Sequence, residues 1–251
     1  MRVAAIQYRP PKGQPDVARL NIGRLLDEAG QRGATLAVLP EMATTGYVWS
    51  SAQELAPHAE PAMGPTAAML STVARSHGMW VVCGFAERRR LPGQLGASGR
   101  PLATLHNSAL VVSPAGEIVT CYRKMLLFDA DLSWATPGWR RSIVPMGDGL
   151  RMAPAICMDI NDPAFVGFLR AQQPEVFSFC TNWVDESVPV LPYWRERLRG
   201  WSGVFVAANT WGTDEGITFS GRSMVMGPAG RVLAEAPYEG DCVLIGEVAG
   251  R

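Results

Sequence analysis

The sequence predicts an α/β fold, and three observations carry that prediction. Strand-length apolar runs alternate with segments of helical spacing, no linker interrupts them, and two antiparallel pairs are marked by the same Pro-Ala-Gly turn. Taken in order, Val3 to Gln7 reads as a strand, and Val17 to Gln31 has helical spacing through Val17, Leu20, Ile22, Leu25, Leu26 and Ala29. Gly33 stops that helix. Leu36 to Leu39 is a buried strand, Thr66 to His77 a helix with Gly78 beyond its end, and Trp80 to Phe85 a strand. Ser108 to Ser113 and Ile118 to Tyr122 then flank Pro114-Ala115-Gly116, a turn signal, and the pattern returns with Ser223 to Met226 and Val232 to Ala234 around Pro228-Ala229-Gly230. Between these pairs, Val176 to Phe179 is strand-like, and Pro192 to Leu198 reads as a helix whose neighbours Trp194 and Trp201 belong in the core or at a subunit contact. Two hairpins beside two helix-bearing halves suggest two sheets packed face to face with helices outside, although periodicity alone specifies only α/β.

Composition narrows the class. The chain has 251 residues, 47% of them hydrophobic and 18% charged, which is globular rather than disordered. Its formal net charge is zero, so no nucleic-acid partner is expected. The cationic run Glu87-Arg88-Arg89-Arg90 precedes a Gly/Pro-rich stretch and reads as a solvated hairpin or loop. No apolar run approaches the ~18 residues of a membrane span, and the start, interrupted by Pro10-Pro11, does not read as a signal peptide. Five cysteines without a close CxxC pair indicate free thiols in a reducing cytoplasm. Cys83, Cys121 and Cys242 read as small buried hydrophobes, while Cys180, ending its strand, is expected near the pocket without reacting.

Three apolar segments end on reactive groups. Leu36-Ala37-Val38-Leu39-Pro40-Glu41 ends on a carboxylate, Tyr122-Arg123-Lys124-Met125-Leu126 holds an amine, and Ala155-Ile156-Cys157-Met158-Asp159 ends on a thiol followed two residues later by an acid. A thiol needs a base or a cation to attack as thiolate at neutral pH, and the oxyanion formed on a carbonyl needs a donor aimed at it. Glu41, Lys124 and Cys157 supply base, cation and nucleophile. His58, His77 and His106 have no such support, so a His-based triad is not expected.

These blocks resemble the nitrilase, or carbon-nitrogen hydrolase, superfamily. The match runs through Leu39-Pro40-Glu41-Met42 with Thr45-Gly46-Tyr47, Tyr122-Arg123-Lys124, Ile156-Cys157-Met158-Asp159, and the later Phe205 to Asn209 and Phe219 to Ser223 blocks. The resemblance implies one four-layer α-β-β-α sandwich domain over residues 1–251, a Glu41-Lys124-Cys157 triad acting through a thioester, the backbone N–H of Met158 as a second oxyanion donor, and no metal or organic cofactor. It also implies a homodimer paired near Asp162 to Arg170 and Pro192 to Arg199, with little tail after Cys242 to Val248 for larger spirals.

One departure stands out. Many members carry a second Glu between the Lys and Cys blocks, where this chain has only Asp129, Asp131 and Asp148. Asp131 is therefore a candidate accessory acid, with bracing of its loop as the competing role. The spacing Lys124, Leu127, Asp131, Trp134 looks like the protein N-terminal amidase branch. Tyr47, Trp49, Trp134, Asn182, Trp183 and Asp185 follow the reactive blocks and are candidate pocket residues, with Asp185 or Glu186 able to meet a substrate ammonium. The expected activity is hydrolysis of a primary carboxamide, of Asn/Gln type on a small molecule or peptide N-terminus, to acid and ammonia. ω-Amidase or aliphatic amidase, N-carbamoyl hydrolase and nitrilase activities are the alternatives, and a catalytically silent binding or assembly module is the alternative of another class.

Overall fold

The computed structural model describes residues 1–95, 101–186 and 188–248. The chain runs β1 (Arg2–Gln7), α1 (Pro15–Gln31), β2 (Leu36–Val38), α2 (Ala52–Leu55), α3 (Pro65–His77), β3 (Trp80–Leu95), β4 (Pro101–Val112) and β5 (Ile118–Arg123). It continues through β6 (Val144–Gly147), β7 (Leu150–Ile156), α4 (Pro163–Gln172), β8 (Val176–Thr181), α5 (Val190–Arg197) and β9 (Val204–Asn209). The last elements are β10 (Trp211–Asp214), β11 (Ile217–Ser220), β12 (Met224–Met226), β13 (Val232–Glu235) and β14 (Cys242–Glu247).

Two six-stranded sheets result, ordered β14-β1-β2-β3-β4-β5 and β13-β12-β9-β8-β7-β6, with β10 and β11 forming a separate ribbon. The central steps β1–β2–β3 and β7–β8–β9 are parallel, and each such step needs a crossover, which a helix supplies. The outer steps are antiparallel. Strand alternation then sorts the side chains: Ile6, Leu39, Val81, Phe85 and Leu110 pack with Ile22, Leu26 and Leu70 of the helices, whereas Val3, Val38, Val82, Val111 and Tyr122 join the second sheet. On the far side Phe177 and Phe179 set their rings against Phe165, Trp194 and Trp201. The order is therefore helix, sheet, sheet, helix, the expected four layers.

One local expectation is corrected and another is decided. Val17 and Leu20 point outward, Leu20 with 67% exposure, because the buried seam of α1 is Ala18, Ile22, Leu26 and Ala29. Of the two readings of the Glu87–Arg90 run, the hairpin holds: the run lies in β3, paired antiparallel with β4, with Arg88 to Arg90 exposed and Glu87 buried against Arg123. Residues 96–100, most of the Gly/Pro-rich stretch after it, lie outside the described residues. No described helix is long and apolar enough to cross a membrane.

Candidate active site

Glu41 reaches the space between the sheets because the turn after β2 lies flat on β3. A Cβ on Gly84 would stand 2.3 Å from the Pro40 carbonyl oxygen and 2.6 Å from Glu41 Cα, so glycine is what lets the two backbones touch. Glu41 Oε1 accepts from Lys124 Nζ and from Asn107 Nδ2, both at 2.7 Å. Its other oxygen, Oε2, accepts from the Asn182 N–H at 2.9 Å, and Asn182 Nδ2 donates back to the Glu41 carbonyl at 2.9 Å.

Lys124 follows the end of β5, on the face that looks toward the second sheet. It is shared between two carboxylates, since Nζ also donates to Asp131 Oδ2 at 2.5 Å. Asp131 lies in a short 3₁₀ turn whose first N–H groups are oriented by it, Oδ2 accepting from the Phe128 N–H at 2.9 Å. Asn107 completes the link by donating to Asp131 Oδ1 at 3.0 Å, and Tyr47 donates its hydroxyl to Oδ2 at 3.4 Å while its ring sits 5.6 Å from Lys124 Nζ. Glu41, Lys124 and Asp131 have no solvent-exposed side-chain surface.

Cys157 opens the 3₁₀ turn after β7 with φ +43°, a backbone region that β-carbon residues seldom adopt and that recurs where function holds a side chain in place. Asp159 fixes this turn to the Lys block. It accepts from the Ile156 N–H at 3.0 Å, the Met125 and Leu126 N–H groups at 2.9 Å, and the Tyr122 hydroxyl at 2.8 Å. The acid noted two residues after the thiol is thus a staple between two blocks.

The charges set one another. Burial pushes the Glu41 carboxyl above its ordinary value, the Lys124 charge pulls it back, and the like charge of Asp131 adds to the rise. Burial alone would lower Lys124, but the two carboxylates outweigh it and hold the ammonium well above its usual range. Burial and then Glu41 push the Cys157 thiol up, with Lys124 pulling the other way. The site therefore gathers a buried thiol, a buried amine and a buried carboxyl group whose charges bear on one another.

A cavity of about 220 Å³ opens on Cys157 and is lined by Met158, Phe128, Asn182, Trp183, Glu186 and Tyr193 among others. Met158, Asn182 and Trp183 all line this cavity, and Asn182 also holds Glu41. Tyr47 supports Lys124 and Asp131 and faces a different cavity with Arg9 and Lys12. Trp49 and Trp134 do not line the Cys157 cavity; they pack in a separate apolar cluster with Leu55, Leu105 and Phe219, because a place after a reactive block fixes the end of the sheet but not the depth. Asp185 lines the adjoining cavity with Arg222 and Tyr238, and its neighbour Glu186 is among the residues that line the Cys157 cavity. Cys180 is fully buried and is not part of that wall. Asn107 was missed by sequence reasoning, and the available signal was the polar triplet His106-Asn107-Ser108 inside an otherwise apolar strand, all three buried.

The carbon-nitrogen hydrolase family model matches residues 2–250. Protein N-terminal amidase from Schizosaccharomyces pombe is 27% identical, covering 90% of this chain and 91% of its own. 2-Oxoglutaramate amidase from Bacillus subtilis is 26% identical over 94% of this chain and 86% of its own. An amidase structure from Nesterenkonia sp. AN1 superposes with a TM-score of 0.79 at 22% identity, covering 99% of this chain and 93% of that one, and shares the fold. The chain belongs to the carbon-nitrogen hydrolase family, within the nitrilase superfamily, and is an enzyme that hydrolyses C–N bonds.

Proposed function

We propose that the substrate is a primary carboxamide of Asn/Gln type, on a small molecule or a peptide N-terminus, and that Cys157 attacks it with Glu41 as base. As Sγ bonds to the carbonyl carbon, the thiol proton passes to Glu41 and the C=O electron pair moves to oxygen, where Lys124 Nζ and the Met158 N–H receive it. Collapse of that intermediate breaks the C–N bond, Glu41 returns the proton to the leaving nitrogen, and ammonia departs. Water, deprotonated by Glu41, then attacks the thioester and releases the acid and the thiol. Asp131 takes the part that the family gives to its second Glu, keeping Lys124 charged and aimed.

The observation that carries this reading is one buried cation held between two buried carboxylates, 2.7 Å from Glu41 and 2.5 Å from Asp131, together with a cavity lined by the Cys157 thiol and by Asn182, whose N–H binds Glu41. Asn182 adds support, because it lines the same cavity as Cys157 while its N–H holds Glu41 Oε2 at 2.9 Å. Protein N-terminal amidase among the relatives favours an Asn/Gln-type amide. The test is ammonia release from a panel of primary amides, nitriles and N-carbamoyl amino acids, with intact-mass analysis of trapped enzyme. Amides are expected to turn over and to leave an acyl group on Cys157, and Cys157→Ala is expected to reduce turnover to background while keeping the fold. An acyl group found on Cys180 would overturn the assignment.

A further inference from the structure

The wall of the Cys157 cavity is uneven in charge. Phe128, Met158, Trp183 and Tyr193 give it an apolar and aromatic surface, and Asn161 and Asn182 add neutral polar groups. Glu186 is the one charged side chain among the described residues that line it. Trp183 and Tyr193 stand with ring centroids 5.6 Å apart, and ring faces attract cations through their quadrupole while repelling anions. The nearby cations are committed elsewhere. Arg197, 5.9 Å from the Tyr193 ring, donates to the Ile160 and Asn161 carbonyls, and Arg222 of the adjoining cavity pairs with Glu235 at 2.5 Å.

From this we infer that Glu186 is a specificity-determining residue that selects amides bearing a positive charge away from the reacting group and disfavours those bearing a carboxylate there. The inference rests on the amidase reading above. With the amide carbon at Cys157, the remainder of the substrate extends along this cavity, so a distal ammonium meets the aromatic faces and Glu186. A distal carboxylate meets the same surfaces with no cation to receive it. Glu186 is exposed, so its field is partly screened, and raising ionic strength weakens the discrimination.

The test uses three amides of matched length: pentanamide, 5-aminopentanamide and glutaramate. In the wild-type enzyme, kcat/KM is expected to fall in the order cationic, neutral, anionic. Glu186→Gln is expected to shrink the cationic-to-anionic ratio by about tenfold, from the loss of attraction for one and repulsion for the other, and Glu186→Lys to reverse the preference. An unchanged ratio in Glu186→Gln, or a wild-type preference for glutaramate, overturns the inference while leaving the amidase reading intact. Turnover of none of the three amides sinks that reading and the selectivity with it. A measurement on the wild-type protein alone covers the case of poorly folding variants: butylammonium is expected to inhibit pentanamide turnover more strongly than butyrate, and equal or stronger inhibition by butyrate overturns the inference.

Discussion

Glu41 and Glu87 are both buried carboxylates held by adjacent residues on β4 and at the end of β5, yet alternation of those partners places the two on opposite faces of the first sheet. On β4, Asn107 bonds Glu41 while the next residue, Ser108, donates to Glu87 at 2.7 Å. At the end of β5, Arg123 reaches Glu87 with two nitrogens, at 2.7 and 2.5 Å, and the next residue, Lys124, reaches Glu41. The outer pair joins one carboxylate to one forked cation. Burial pushes Glu87 up, but the Arg123 hydrogen bonds and charge, with the Ser108 hydroxyl, outweigh it and hold the carboxyl below its ordinary value. The inner cluster gives one point-charge ammonium to two carboxylates, and Glu41 ends above its ordinary value. A matched pair locks its proton state and braces the sheet; an excess of carboxylate leaves one proton poised to move.

Removing the inner cation gives the largest effect that this contrast predicts. Lys124→Met is expected to lower kcat by about 10²- to 10³-fold, the loss associated with one oxyanion donor. It also removes the charge that pulls the Glu41 carboxyl down, leaving burial and Asp131 to raise it further. Stopped-time ammonia assays check the rate. A change confined to KM, with kcat retained, would reduce Lys124 to a binding contact.

A smaller effect comes from making the inner cluster resemble the outer pair. Asp131→Asn removes the second carboxylate, so Lys124 serves Glu41 alone and the upward push on Glu41 weakens. Glu41 must be ionised to accept the thiol proton, so activity rises with pH through its pKa. Lowering that pKa moves the acid limb of the rate profile to lower pH, and a weaker base is expected to cost about tenfold in kcat at neutral pH. An acid limb that stays in place while thermal stability drops would make Asp131 a brace for its turn and nothing more.

How much of this was legible depends on what kind of signal each residue leaves. Glu41, Lys124 and Cys157 each end or interrupt an apolar run, but singly Glu41 and Lys124 read as ordinary charged residues, and only their order in the blocks that resemble the family gave them roles. Alternation and turn chemistry specified an α/β fold and suggested two facing sheets, and the resemblance to the family supplied the four layers. Asn107 was hidden because a polar residue in a strand ordinarily reads as the solvent face, and only the packing of the second sheet on one side of β4 and of the helices on the other buries both. Trp49 and Trp134 were misplaced because packing depth is set by long-range contacts with Leu105 and Phe219. Asp185 and Glu186 could not be separated, since neighbours on an extended segment point to opposite sides and only the bridge from Val184 to Phe219 sets which is which.

The outer pair provides the least disturbance to turnover and the cleanest control. Glu87→Gln is expected to leave kcat within about twofold, since its side chain lies across the sheet from Cys157, but to lower stability by about 2 kcal/mol by leaving the Arg123 charge unmatched. The pH dependence follows from the direction of the shift. Because the folded Glu87 carboxyl lies below its ordinary value, its contribution is complete above the unfolded pKa of about 4.3 and is lost as pH falls through the lower folded value. Denaturation of wild type and variant should therefore differ most near neutrality and converge in acid. If turnover fell together with stability, the adjacent Arg123 and Lys124 would be acting as one unit through their shared backbone, and the division of labour between the two faces would have to be abandoned.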